Sequence, residues 1–231
     1  MVTTVYKYLI FDLDDTVLDF SGGEAVNIRR LFAGIGLTGN ELTKAIDTYR
    51  GINRKLWNQY EMGKIPRNEI FQVRFTKTLE ALNLEGSGMD LESKYYEMIL
   101  HNYRILPHAK HILNELSRRY TLIAGTNGQA ELQRMRLKKT DIEHYFDQIY
   151  ISEEMGSKKP QASFFDQIFQ DNPEMTLDNT MMIGDGLYTD ILGGNNYGIA
   201  TLWINHHGTS TPENIDPTYE VHTLDEIMDI L

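Results

Sequence analysis

A regular alternation of short apolar runs and helical segments begins at Pro107 and continues to the end of the chain. Strands separated by helices indicate a mostly parallel sheet with right-handed crossovers and helices on both faces. The predicted strands of this half are residues 120–124, 148–151, 180–183 and 199–203, with a short edge strand at 219–221. One more β-rich apolar run, residues 5–11, lies at the amino end, so both ends of the chain are expected to contribute to one sheet.

The intervening segment, residues 18–104, has helical periodicity and almost no strand signal. Its predicted helices are residues 41–61, a helix beginning at Pro66, and residues 90–103. The core helices are predicted at residues 109–119, 129–139, 162–170, 188–197 and 224–230. The predicted fold is therefore a Rossmann-like, doubly wound α/β core of residues 1–17 and 105–231, with an α-helical cap domain, 18–104, inserted after the first strand.

Charge and composition exclude several classes of function. The 231 residues include 22 Lys+Arg and 33 Asp+Glu, a formal net charge of −11 that disfavours binding to nucleic acid. The chain has no Cys, which excludes disulfides and thiolate metal sites. The amino terminus lacks a signal-peptide pattern, and no apolar run reaches the length of a membrane span. No membrane partner is expected, and a cytoplasmic location is the default expectation.

Four short motifs follow predicted strands or lie in loops that leave them. They are Asp12-Leu13-Asp14-Asp15-Thr16, Thr126-Asn127-Gly128, Lys159-Pro160, and Gly184-Asp185-Gly186 with Asp190. Open α/β sheets bind their ligands outside the carboxyl ends of the strands, so these segments are expected to meet at one edge of the sheet. Clustered carboxylates, a hydroxyl beside a Gly turn and one Lys suit a divalent cation and a phosphoryl group.

The first and last motifs together supply several acidic side chains. Asp12 and Asp14 are two residues apart at a strand end, so their side chains lean to the same side and can face one phosphorus atom. One carboxylate can then attack while the other transfers protons. Asp185 and Asp190 add more negative charge, and a phosphate dianion would be repelled unless a cation were bound. Mg²⁺ is the expected cofactor, because it prefers oxygen ligands.

In type, order and spacing, the four motifs resemble those of the haloacid dehalogenase-like (HAD) phosphohydrolases, and the resemblance covers essentially the whole chain. It implies that Asp12 is the nucleophile that forms an aspartyl-phosphate. Asp14 would act first as general acid for the leaving group and then as general base for water. The helical insertion corresponds to the small cap that many members have after the first strand.

The resemblance also implies the remaining site residues. The Mg²⁺ ligands would be Asp12, Asp185 and the backbone carbonyl of Asp14. The segment Thr126-Asn127-Gly128 would hold the phosphoryl oxygens, and Lys159 would neutralise charge that builds on them. Two roles remain open for Asp190: it can stabilise a helix dipole, or it can orient Lys159 or a metal-bound water.

Several further segments resemble the YjjG-type 5′-nucleotidases, which implies that the substrate is a nucleoside 5′-monophosphate. They are Leu56-Trp57-x2-Tyr60-x2-Gly63-x-Ile65, residues 151–156, residues 190–194, and Trp203-Ile204-Asn205-His206-His207. Trp57 and Tyr60 can either stack on a base or pack within the cap. His206 and His207 are expected to have a structural or solvated role, because the expected metal is Mg²⁺.

Two other functions remain as alternatives. The first is a phosphatase for a small sugar phosphate or phosphoglycolate, because the core motifs leave the choice of leaving group to the cap. The second is a phosphoryl-receiving signalling module, which also places acidic residues with Thr and Lys on a parallel sheet. Such a module needs neither a helical cap nor Asp14. A dehalogenase is disfavoured because dehalogenases that resemble this motif lack the second Asp.

Overall fold

The computed structural model describes residues 6–61 and 63–231. Within these ranges the sheet has six strands, all parallel, in the order β3-β2-β1-β4-β5-β6. The strands are β1 (Tyr8–Phe11), β2 (Thr121–Thr126), β3 (Gln148–Ile151), β4 (Thr180–Gly184), β5 (Ala200–Ile204) and β6 (Tyr219–Val221). The predicted parallel sheet is confirmed. Val5, the predicted start of the first strand, lies outside the described residues.

Strand β1 lies in the middle of the sheet, and its alternate side chains pack on opposite faces. Leu9 and Phe11 belong to a buried cluster that includes residues of α5 (Ala109–Leu116). Ile10 belongs to a second cluster, on the other face, that includes residues of α8 (Ala162–Asp171). A strand buried on both faces needs a continuous apolar sequence, as this strand has, and the doubly wound class is thereby confirmed.

The other helices follow the same alternation or belong to the inserted segment. Those of the insertion are α1 (Phe20–Gly34), α2 (Gly39–Glu61), α3 (Arg67–Leu82) and α4 (Gly88–Leu100). The remaining core α-helices are α6 (Ala130–Thr140), α7 (Ser152–Met155) and α9 (Leu192–Tyr197). No helix among the described residues is long and apolar enough to cross a membrane.

The chain divides into two compact units. One consists of Tyr103–Leu231 together with the residues up to Ser21, and the other is Gly22–Asn102. The second unit has its own core of aromatic side chains, in which the rings of Tyr49 and Phe75 stack at 4.9 Å. A buried ion pair between Arg74 and Glu92, with N–O distances of 2.6 and 2.7 Å, lies in this core.

Two predicted helices have a different form in the structure. The predicted helix 188–197 begins as a π-helical turn, Leu187–Ile191, before α9. This wider turn contains Asp190, whose carboxylate accepts a hydrogen bond from the Gly186 backbone N–H at 2.9 Å. The predicted closing helix is a 3₁₀-helix, Leu224–Asp229. Apolar periodicity alone does not distinguish these turns from an α-helix.

Candidate active site

The four motifs are gathered along the carboxyl edge of the central strands. Asp12 follows β1 directly, and its backbone N–H donates to the Ile183 carbonyl of β4 at 2.8 Å. Thr126 is the last residue of β2, and Asp185 follows the end of β4. The predicted meeting of sequence-distant polar residues at one edge of the sheet is therefore observed for these three.

Lys159 is buried, and its ammonium group is fully engaged. It donates to Asp12 Oδ1 at 2.7 Å, to Asp190 Oδ1 at 2.7 Å and to the Gly125 carbonyl at 2.6 Å. These three bonds use all three N–H donors of an ammonium. The side chain of Asn127 holds the Lys159 backbone, because Oδ1 accepts its N–H at 3.0 Å and Nδ2 donates to its carbonyl at 2.9 Å. Lys159 therefore orients Asp12, and the Asn127 side chain anchors Lys159.

Three carboxylates lie close enough to share a cation. Asp12, Asp185 and Asp190 each offer an oxygen within 4.8 Å of the others. Burial raises the pKa of Asp12 to about 7, with Lys159 opposing and Asp190 and Asp14 adding to the rise. Burial and the charges of Asp12 and Asp190 also hold the pKa of Asp185 well above its usual range. Three carboxylates lie around one ammonium, so the site favours a bound cation, and its all-oxygen donors fit Mg²⁺.

The carboxylates differ in how many of their oxygens already accept a hydrogen bond from the protein. Asp190 Oδ1 accepts from Lys159, and Oδ2 accepts from the Gly186 N–H. Asp12 Oδ1 accepts from Lys159. Asp190 thus binds Lys159 and its own loop, while Asp12 and Asp185 are better placed to be direct ligands.

Two residues, Thr16 in the loop after β1 and Trp203 in β5, fix the position of Asp185. The Thr16 hydroxyl donates to Asp185 Oδ1 at 3.3 Å and accepts from the Asp185 N–H at 3.1 Å. The indole N–H of Trp203 donates to the Asp185 carbonyl at 2.9 Å. These contacts were not expected from the sequence, although both residues belong to segments that the resemblance includes.

The two histidines have exposed side chains near this loop. His206 Nε2 lies 2.7 Å from the carbonyl oxygen of Asp15 and joins the loop after β5 to the loop after β1. His206 and His207 both line a cavity of about 270 Å³ that borders Asp185. Among the described residues neither histidine belongs to the carboxylate cluster.

Two glycines leave room for Asp190. A Cβ atom at Gly184 would lie 2.1 Å from Asp190 Oδ2, and one at Gly186 would lie 2.2 Å from Thr189 Oγ1 and 2.8 Å from Asp190 Oδ2. Members of the resembled family commonly have Ser or Thr after the last motif's Asp, so Gly186 is a departure. A larger residue at Gly186 would require the side chains of Thr189 and Asp190 to shift.

Helix α6 supplies two polar side chains that were not predicted as site residues. Gln133 Nε2 donates to Asp14 Oδ2 at 2.8 Å and to Thr126 Oγ1 at 2.9 Å, and Arg136 Nη1 donates to Asp14 Oδ1. The Gly128 N–H also donates to Thr126 Oγ1, at 3.0 Å. Because the Thr126 oxygen already accepts two bonds, its own proton can be donated to a phosphoryl oxygen.

A sequence signal for these two residues exists. Five residues form the buried face of α6, at helical spacing: Leu132, Gln133, Arg136, Leu137 and Thr140. Gln and Arg on the buried face of a helix are expected to be paired inside the protein. That pattern indicates buried polar partners, but it does not identify Asp14 as one of them.

The cap residues Trp57 and Tyr60 pack against each other. Their ring centroids are 5.8 Å apart, and Trp57 also contacts Phe71 at 6.3 Å. The guanidinium of Arg67 lies 5.8 Å from the Trp57 ring. Both aromatic side chains are half-buried. These contacts fit the packing role, and stacking on a substrate base stays a prediction.

Known proteins resemble this chain along nearly its whole length. A family model described as haloacid dehalogenase-like hydrolase matches residues 9–204. Pyrimidine 5′-nucleotidase PynA of Streptococcus pneumoniae is 36% identical over 98% of this chain and 95% of its own. Pyrimidine 5′-nucleotidase YjjG of Escherichia coli is 31% identical over 98% of each chain. The crystal structure of the HAD-hydrolase YfnB of Bacillus subtilis, bound to magnesium, superposes with a TM-score of 0.90 at 33% identity, covering 98% of both chains.

Proposed function

Because the chain belongs to the haloacid dehalogenase-like hydrolase family, we propose that it is a Mg²⁺-dependent phosphatase of nucleoside 5′-monophosphates. The observation on which this proposal depends is the arrangement of Asp12, Asp185 and Asp190 around the buried Lys159. A site with this balance of charge suits a phosphoryl group that arrives together with a cation.

The proposed reaction has two steps. A carboxylate oxygen of Asp12 attacks phosphorus, the bond from phosphorus to the ester oxygen breaks, and Asp14 gives the departing oxygen its proton. Water then attacks the phosphorus of the aspartyl-phosphate and loses a proton to Asp14. The bond between Asp12 and phosphorus breaks, which restores both carboxyl groups and releases phosphate.

Other residues hold the reacting groups in place. Lys159 keeps Asp12 oriented through the 2.7 Å bond to Oδ1, and its charge partly offsets the negative charge of the site. Thr126 donates its hydroxyl proton to a phosphoryl oxygen. The Asn127 side chain is occupied with Lys159, which leaves the backbone N–H as its means of contacting substrate. Bound Mg²⁺, held by Asp12, Asp185 and the Asp14 backbone carbonyl, would supply positive charge that favours phosphate binding.

The choice of nucleotides is supported by the relatives PynA and YjjG, both of which are named pyrimidine 5′-nucleotidases. The proposal assigns discrimination between leaving groups to the cap, with Trp57 and Tyr60 as the residues that contact a base. Their rings are only half-buried in the described cap unit, so part of each surface is available for a ligand.

A substrate panel tests this proposal. Phosphate release is measured with Mg²⁺ for UMP, dTMP, purine nucleotides, a hexose phosphate and phosphoglycolate, with the Asp12→Asn protein as the control for contaminating phosphatase. Nucleotides are expected to have the highest kcat/KM. Preference for the hexose phosphate or phosphoglycolate would favour the alternative phosphatase. Stable phosphorylation without release of phosphate would favour the signalling module.

The cap assignment has its own test. Trp57→Ala is expected to change the ranking among bases more than the rate with an aryl phosphate, because an aryl phosphate lacks the base. Trp57→Phe retains a flat ring and serves as the matched control. Unchanged base selectivity in a well-folded Trp57→Ala protein would assign Trp57 to cap packing alone.

A further inference from the structure

We infer that Gln133 and Arg136 are positioning residues that hold Asp14 for proton transfer to the leaving group. This inference rests on the phosphatase reaction proposed above. It assigns a role in the reaction to helix α6, none of whose residues belongs to the four motifs. The two side chains are three residues apart on the buried face of that helix, so both face the loop that follows β1.

Both carboxylate oxygens of Asp14 have a donor. Gln133 Nε2 donates to Oδ2 at 2.8 Å, and Arg136 Nη1 donates to Oδ1. Arg136 Nη1 also donates to Gln133 Oε1 at 3.1 Å, and this bond fixes which end of the Gln133 amide faces Asp14. A carboxylate held at both oxygens has little freedom to rotate, so its direction toward the reacting ester is set by α6.

The burial of these side chains differs from that of Asp14 itself. Gln133 and Arg136 are fully buried, whereas the Asp14 side chain is 31% exposed. A buried guanidinium needs compensation, and Asp14 is its carboxylate partner, with the Phe20 ring 5.5 Å away. The other two guanidinium nitrogens, Nε and Nη2, make no hydrogen bond among the described residues. Burying a guanidinium with so few hydrogen-bond acceptors costs free energy that an apolar side chain would not cost. This cost favours a role of Arg136 in the reaction over a role in packing.

Gln133 also contacts two residues that have different roles in the proposed reaction, Asp14 and Thr126. Its Nε2 donates to Thr126 Oγ1 at 2.9 Å as well as to Asp14, so one amide contacts both the phosphoryl-binding residue and the proton donor. The fit is close, because a Cβ atom at Gly128 would lie 2.4 Å from the same nitrogen. Gln133 therefore fixes the separation between the leaving-group side and the phosphoryl side of the site.

The test uses leaving groups that differ in their need for a proton. An alkoxide must be protonated as it leaves, whereas 4-nitrophenolate leaves without help, so loss of general acid affects alkyl phosphates selectively. The kinetic constant kcat/KM covers steps up to transfer to Asp12 and is insensitive to later hydrolysis. The ratio of kcat/KM for the best alkyl phosphate of the panel to that for 4-nitrophenyl phosphate is measured for each variant.

Asp14→Asn sets the scale, with an expected fall in the ratio of about 10²–10⁴-fold. Arg136→Met and Gln133→Met are each expected to lower the ratio by about tenfold or more, within that range. Adding Arg136→Met to Asp14→Asn is expected to lower the ratio no further, because the effect passes through Asp14. The matched control is Arg134→Met, on the same helix, whose guanidinium pairs with Glu154 at 2.6 Å on the surface. It is expected to leave the ratio unchanged.

The outcomes separate this inference from the proposed function. If Asp14→Asn lowers the ratio but Arg136→Met and Gln133→Met behave like Arg134→Met, the positioning role is wrong and the reaction stands. If Asp14→Asn leaves the ratio unchanged, the proton-transfer step is wrong and the positioning role is wrong with it. Should one α6 variant fail to fold, as judged by circular dichroism, the ratio for the other decides.

Discussion

At the scale of single residues, the site is organised by one buried cation and the carboxylates around it. The ammonium of Lys159 donates to Asp12, to Asp190 and to the Gly125 carbonyl. The charges of the two carboxylates raise the pKa of Lys159 against the opposing effect of burial, so the group stays protonated. Its three hydrogen bonds are with protein groups, so the proposed effect of Lys159 on a substrate is exerted through the orientation and charge of Asp12.

Replacing Asp12 with Asn is expected to abolish turnover and leave the fold intact, because an amide does not form the acyl-phosphate while Lys159 keeps Asp190 as a partner. Phosphate release and circular dichroism provide the measurements. Mass spectrometry verifies that the introduced amide has not deamidated back to Asp. Turnover at the wild-type rate would contradict a covalent intermediate at this position.

The residues of the site could be predicted from sequence only where a short motif places them beside a strand end. Asp12, Thr126 and Asp185 are of this kind, because strand geometry alone brings them to one edge. Gln133 and Arg136 could not be assigned, because their partner Asp14 is distant in sequence and only tertiary packing joins them.

At the scale of elements, the turn between β4 and α9 depends on glycine to admit a buried carboxylate. Gly184→Ala is expected to displace Asp190, because the new Cβ would overlap its Oδ2. We expect a loss of stability of about 1–3 kcal/mol and a fall in kcat of about 10²-fold. Urea unfolding and steady-state kinetics provide the measurements.

Gly51→Ala is the matched control for that substitution. Gly51 lies inside α2, and its added Cβ would meet no heavy atom of the described residues within 4 Å beyond the backbone of its own helix. It is expected to stabilise the protein by about 0.5–1 kcal/mol. Equal effects of Gly184→Ala and Gly51→Ala on kcat would show that turnover does not depend on the position of Asp190.

The buried ion pair between Arg74 and Glu92 is expected to contribute to the stability of the protein. Arg74→Met leaves Glu92 buried without its partner and is expected to destabilise the protein by about 3–5 kcal/mol. The double variant with Glu92→Leu is expected to recover much of that loss, since no unpaired charge remains. Arg50→Met, in an exposed pair with Asp47 at 4.0 Å, is the control and should cost less than about 1 kcal/mol. A similar cost for both single variants, measured by urea unfolding, would contradict the argument.

Helices and strands could be predicted where the apolar residues recur regularly over a long segment. They were harder to predict where tertiary packing determines the type of helix. The strands and the long helix α2 follow directly from apolar spacing. The π-turn at Leu187–Ile191 does not, because it coincides with the contacts of Asp190 and not with a local propensity. The proposed cap limits, 18–104, remain a prediction from the sequence.

At the scale of the whole molecule, we expect both activity and thermal stability to depend on Mg²⁺, because three carboxylates lie together in the site. Removal of Mg²⁺ by EDTA is expected to abolish activity, and Mg²⁺ is expected to restore it. Bound metal stabilises the folded state by about 2.7 kcal/mol at a hundredfold excess over Kd, which corresponds to several degrees in Tm.

The variant Asp185→Asn is expected to lose both the restoration of activity by Mg²⁺ and the increase in Tm that Mg²⁺ causes. The thermal shift does not depend on turnover, so it separates metal binding from catalysis. Full activity in EDTA, or an undiminished thermal shift in the Asp185→Asn protein, would remove the metal from the proposed site.

The central position of β1 has a consequence for the order in which the chain can fold. Tyr8 pairs with Thr121 on one side and with Thr180 on the other, so β1 is synthesised well before either of its neighbours. Pairing over such separations is slow, because the entropy of closing long loops is lost before contacts form. Asp12, the proposed nucleophile, therefore meets Asp185 and Asp190 only after the last motif has been translated. Activity in a newly made chain would report that β4 has joined the sheet, and a nascent chain that stops short of β4 is expected to be inert.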